Sequence, residues 1–75
     1  MKKFYRTQRE VAAVINKIVG KYWIDNLTDK VLEENIYMIY KNNQRKVIKN
    51  DDFTTILKQQ CGKSRLTVVE NIITN

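Results

Sequence analysis

The chain has no histidine, no proline, a single cysteine and only two glycines. Each scarcity closes a route. One cysteine cannot form an internal disulfide, and without histidine there is no ligand set for a structural zinc ion. The same absence removes the imidazole that would activate a thiol or hydroxyl nucleophile. A chain without proline and nearly without glycine reads as helices joined by short turns. Long apolar runs are missing as well. The longest, Val11–Ile15 and Tyr37–Tyr40, are far short of the roughly 20 residues that cross a bilayer. The basic N-terminus, with Lys2, Lys3 and Arg6, leads into Arg9 and Glu10 rather than into an apolar segment. With a lone cysteine, that sets the expectation of a cytoplasmic protein with no membrane partner.

What is present is positive charge. The 75 residues carry a formal charge of +6, and the basic residues fall into groups. Lys2, Lys3, Arg6 and Arg9 form one, Lys41, Arg45, Lys46 and Lys49 a second, and Lys58, Lys63 and Arg65 a third. The acids collect elsewhere, at Asp25, Asp29, Glu33 and Glu34. Separated signs allow one positive face, and a positive face favours a polyanion as partner. A chain of this length makes one domain, residues 1–75, with a modest core, so it must pack its helices well or bury area against a second copy.

The apolar pattern sets out about four short helices. Thr7 to Glu10 fits a capping box, followed by Val11, Val14, Ile15, Ile18, Val19 and Tyr22 at helical spacing. Gly20 is either tolerated inside that helix or marks its end, and Trp23 and Ile24 are expected to plug the core. Thr28 caps a second helix, with Asp29 in its first turn and Val31, Leu32, Ile36, Ile39 and Tyr40 as its buried stripe. Asn42-Asn43 stops it. Gln44–Lys49 has no evident partner strand and reads as irregular. Asn50-Asp51-Asp52 caps a third helix with Phe53, Ile56, Leu57 and Cys61 inside. Ser64 caps a fourth with Leu66, Val69, Ile72 and Ile73 inside.

Between the last two helices stands Cys61-Gly62-Lys63-Ser64-Arg65-Leu66-Thr67-Val68. A phosphate-binding loop ending in Gly-Lys-Ser needs another glycine five positions earlier, a place held here by Leu57, and a strand before the loop. The three-residue turn with its glycine fits a helix-turn-helix instead. Over residues 52–73 the chain resembles the helix-turn-helix of small bacterial and phage DNA-binding regulators. Leu57, Cys61, Gly62, Ser64, Arg65, Thr67 and Val68 match that pattern. Lys58, Lys63 and Asn71 stand where the pattern has a small residue and two apolar ones. The resemblance implies an all-α fold with a C-terminal helix-turn-helix-like pair, and a recognition helix whose first residues face base edges in the major groove. Arg65 is then placed to fork onto guanine. Thr67 meets a thymine methyl or a phosphate, and Ser64 with the free N–H groups of the helix start holds a phosphate. Lys58 and Lys63 add charge along the backbone, and Lys41, Arg45, Lys46 and Lys49 flank the site as phosphate clamps.

Other residues invite bland readings. Glu33 and Glu34 point away from the apolar stripe and make a solvated face rather than a catalytic dyad. Cys61 reads as a small buried hydrophobe, and Tyr22, Trp23, Tyr37 and Tyr40 as core and interface. No constellation supports acid–base or covalent catalysis, so the expectation is a protein that is not an enzyme and needs no cofactor. The expected function is DNA binding, as a small transcriptional regulator. The richness in Asn, Ile and Lys suits an AT-rich phage, plasmid or other mobile element. The expected partner is double-stranded DNA, bound by a homodimer that uses Trp23, Tyr37 and Ile73. The rivals are an adaptor or inhibitor that binds an acidic protein surface, and RNA binding through exposed tyrosines.

Overall fold

A computed structural model describes residues 3–24 and 27–74; Lys2 of the first basic group and Asp25 of the acidic group lie outside the described residues. The fold is all-α apart from one very small hairpin. Its elements are α1 (Gln8–Ile24), α2 (Asp29–Asn42), α3 (Gln44–Val47), β1 (Ile48–Lys49), β2 (Asp52–Phe53) and α4 (Thr55–Thr74). None of these helices is long and apolar enough to cross a membrane among the described residues.

Helix α1 starts as its sequence dictates. The Glu10 N–H donates to Thr7 Oγ1 and the Thr7 N–H donates to Glu10 Oε1, each at 3.1 Å. Two N–H groups that the first turn leaves without helical partners are thereby satisfied. Val11, Ala12, Ile15, Ile18 and Val19 are buried, and α1 packs against α4, α2 and α3 as the central helix. The helix runs through Gly20 to Ile24. Its last turn leaves the core: Trp23 is 47% and Ile24 80% exposed, so neither plugs it.

Helix α2 begins at Thr28, whose Oγ1 accepts from the Val31 N–H. Asp29, in the first turn, accepts a hydrogen bond from the Tyr22 hydroxyl and ties the start of α2 to the last turn of α1. The bond to the carboxylate holds the Tyr22 phenol above its ordinary pKa, since ionising it would set two negative charges together. Leu32, Ile36 and Ile39 are buried as the pattern requires, while Val31 stays 38% exposed.

The segment expected to be irregular is ordered. Gln44–Val47 makes one helical turn, and Ile48–Lys49 pairs antiparallel with Asp52–Phe53, Ile48 opposite Phe53 and Lys49 opposite Asp52. Asn50 and Asp51 are the two turn residues, with φ of 55° and 63°. Two successive positive φ values make the tight hairpin turn whose twist matches that of its strands, and Asn and Asp accept that conformation better than other non-glycine residues. They therefore close a hairpin instead of capping a helix. The cap of α4 is Thr54, which is buried. Its N–H donates to Val47 O at 3.0 Å, its Oγ1 donates to Lys46 O at 2.9 Å, and its own carbonyl accepts from the Lys58 N–H.

The third and fourth expected helices are two halves of α4, interrupted at Gly62 with φ 78° and ψ 167°. That backbone region is open essentially to glycine alone. The expected three-residue turn thus contracts to one non-helical residue, and Ser64 lies within helix rather than at a cap. The break leaves carbonyls of the first half without helical partners. Asn16 on α1 answers one of them, its Nδ2 donating to Gln60 O at 2.7 Å. Leu57 and Cys61 before the break, and Leu66 and Val69 after it, are buried against the rest of the core. Cys61 is the small hydrophobe its position indicated. Its thiol donates weakly to Ala12 O, and burial pushes its pKa up, with Arg65 opposing.

Candidate nucleic-acid interface

Basic residues separated in sequence meet around the hairpin. Arg6, Arg45, Lys46 and Lys49 line an open cleft of about 730 Å³, with Gln8, Ile48 and Asn50 and no acidic residue. The N-terminal segment, α3 and β1 form its walls. A second cleft shares Gln8, Lys49 and Asn50 with the first and continues to Asp52, Thr54 and Lys58. A third shares Phe53 and Lys58 with the second and continues to Lys63, Thr67 and Glu70 on the second half of α4. Arg6, Arg45, Lys46, Lys49, Lys58 and Lys63 therefore form a continuous belt. Asp29, Glu33 and Glu34 are exposed on α2 and line none of the three clefts.

The belt holds most of the residues expected in contact with DNA, on different terms. Arg45, Lys49 and Lys63 are exposed, and among the described residues none of their side chains forms an ion pair. Lys46 is half-buried, with its ammonium 4.6 Å from the centre of the Phe4 ring. Lys58 is paired with Asp52. That ion pair, together with the Phe53 N–H, holds the Asp52 carboxyl below its ordinary pKa. A folded-state pKa below the unfolded one means the pair's contribution is complete at neutral pH. It is lost as pH falls through the depressed value. A phosphate reaching Lys58 must compete with Asp52. The Thr67 hydroxyl donates to Lys63 O at 2.9 Å, so it offers lone pairs rather than its proton. Ser64 is exposed, and Lys41 is exposed on α2 outside the three clefts.

Arg65 is placed differently from the expectation that it reads a base. Its guanidinium lies 5.2 Å from the centre of the Trp23 ring, and its Nε is buried without a protein partner. The physical reason is helical phase. Residues advance about 100° each, so Arg65 lies about 200° from Lys63 and points back towards α1 while Lys63 and Thr67 face the belt. There it covers Gly20 and Trp23 in the last turns of α1, where the helix dipole favours a cation. A methyl group added at Gly20 would sit 3.8 Å from Arg65 Nη2, an ordinary contact. Gly20→Ala should therefore gain about 1 kcal/mol from helix propensity. In a thermal melt, that raises Tm by about 4–8 °C; a fall would mean that Arg65 packs more tightly on α1 than this distance indicates.

Two residues that the sequence reading passed over hold the belt together. Asn43, expected only to stop α2, is 3% exposed. Its Oδ1 accepts from the Tyr5 N–H at 3.0 Å, and its Nδ2 donates to Lys3 O and Ile39 O at 2.8 Å each. Tyr5 is itself in the core. Together they pin the N-terminal segment, and with it Arg6, beside α3. The available signal was Tyr5, an aromatic residue ahead of the capping box with a charged residue on its C-terminal side.

Among the described residues, no group of three or more His, Cys, Asp or Glu side chains could hold a metal ion. A model of the CLB_0814 family, described as a conserved hypothetical protein, matches residues 2–74, and the chain belongs to that family. No curated protein and no solved structure matches it.

Proposed function

We propose that this protein binds double-stranded DNA through the basic belt, as a small cytoplasmic transcriptional regulator without catalytic activity. The observation that carries the reading is that members of three sequence-distant basic groups, Arg6 from the first, Arg45, Lys46 and Lys49 from the second, and Lys58 and Lys63 from the third, line clefts that share their lining residues. In this reading Arg6, Arg45, Lys46 and Lys49 clamp phosphates. Lys63, Ser64 and Thr67 present the second half of α4 to the duplex, and Lys58 exchanges Asp52 for a phosphate. Arg65 serves packing rather than base readout. The homodimer belongs to the same reading, with Trp23 and Tyr37, each about half exposed at 47% and 50%, and the half-buried Ile73 as its contact residues.

The reading is tested by fluorescence anisotropy with mixed-sequence duplex DNA across salt. Each phosphate contact lowers log affinity by about 0.9 per decade of salt, so the five belt cations other than Lys58 give a slope near −4.5. Affinity should then fall about 500-fold between roughly 50 and 200 mM salt. Binding that ignores salt, or no binding at low salt, overturns the proposal and leaves an acidic protein surface as the partner to seek.

A further inference from the structure

The four-cation cleft has an exposed aromatic ring at its edge. Phe4 is 62% exposed, and the Lys46 ammonium that covers part of its ring also lines the cleft. The ring is not on a loose tail. The backbone on either side of it is held by one buried side chain, through Lys3 O and the Tyr5 N–H on Asn43. Tyr5 turns into the core, while its neighbours Phe4 and Arg6 turn outward. An apolar ring fixed in water beside a line of cations matches neither a core residue nor a simple phosphate clamp. Sites for unpaired nucleic-acid strands have that combination: cations track the backbone, and an aromatic face takes a base. In a paired duplex the base faces are stacked on one another and closed to such a ring.

We infer that the cleft between the N-terminal segment and the α3–β1 unit takes a single-stranded stretch of DNA, its phosphates on Arg6, Arg45, Lys46 and Lys49 and one base stacked on Phe4. The inference rests on the DNA reading above and adds an unpaired strand to it. On a paired duplex the same four cations hold the phosphates of one strand; where that strand is unpaired, a base also reaches Phe4.

The test uses the full chain with a labelled oligothymidine of about 12 nucleotides and a duplex of the same length, both by anisotropy at low salt. Phe4→Ala should weaken oligothymidine binding about 10-fold and leave duplex binding within about twofold. Phe4→Trp should restore it, which separates stacking from a merely structural role. Equal oligothymidine binding by Phe4→Ala and the wild-type protein overturns the inference, as does an equal loss on both DNAs. Tighter binding of an oligouridine of the same length overturns the assignment to DNA. Duplex binding with no oligothymidine binding overturns the inference and leaves the DNA reading standing. Failure to bind either DNA overturns both.

Discussion

Replacing Asn43 by alanine should destabilise the fold by about 3 kcal/mol. Its side chain makes three hydrogen bonds, to the Tyr5 N–H, Lys3 O and Ile39 O, two of them buried. Each is worth roughly 1 kcal/mol net, and more when the abandoned partner stays buried. The Tyr5 N–H is such a partner, because Tyr5 remains attached to a core it helps to fill. A domain of this length has about 4–11 kcal/mol in total, so the loss is a large share. A drop in Tm of about 12–24 °C follows from the usual conversion for small domains. Circular dichroism across a thermal ramp measures it. Asn43→Asp is the informative companion. It keeps an acceptor for the Tyr5 N–H but loses both donated bonds and buries a charge, so it should melt no higher than the alanine variant at neutral pH. If Asn43→Ala melts within a few degrees of the wild type, the N-terminal segment is held by Tyr5 packing alone.

Asn43 also marks where the sequence could be read and where it could not. The helices themselves were legible, because their signals are local and redundant. Thr7 with Glu10, Thr28 with Asp29, and the 3.6-residue spacing of Val11, Ile15, Ile18 and Val19 all point the same way. The join between α2 and α4 was not. Its hairpin has two residues per strand, too few to show alternation, and its turn residues Asn50 and Asp51 are equally good helix caps. Burial of Thr54 and Asn43 involves hydrogen bonds to residues up to 40 positions away, which no local pattern records. The basic residues of the candidate site were identifiable by type, and the grouping of Arg45, Lys46 and Lys49 was visible. That Arg6 joins them required the fold. Arg65 is the instructive case, since its phase relative to Thr67 was available by counting, while its phase relative to Lys63 needed the helix to resume directly after Gly62. Two residues apart on a helix means opposite sides, so a single groove cannot take all three.

The largest functional effect should come from neutralising the belt without changing much else. Arg45 and Lys49 are exposed, and among the described residues their side chains form no ion pair, so Arg45→Ala with Lys49→Ala should leave the fold close to intact. Loss of two phosphate contacts removes about 1.8 from the salt slope, and at roughly 0.1 M salt it weakens duplex binding about 60-fold. The rival explanation is that net charge alone draws any polyanion. Lys17 and Lys30 separate the two. Both are exposed, and neither lines the belt clefts. Lys17→Ala with Lys30→Ala lowers the charge by the same amount from +6. Through the long-range field, screened beyond about 10 Å at this salt, it should cost no more than about fivefold. Anisotropy titrations of both double variants at several salt concentrations give the slopes directly. Equal losses would make the belt one part of a diffuse positive surface. A loss confined to Arg45 and Lys49 would make it a binding site, because only localised contacts release counterions in proportion to their number.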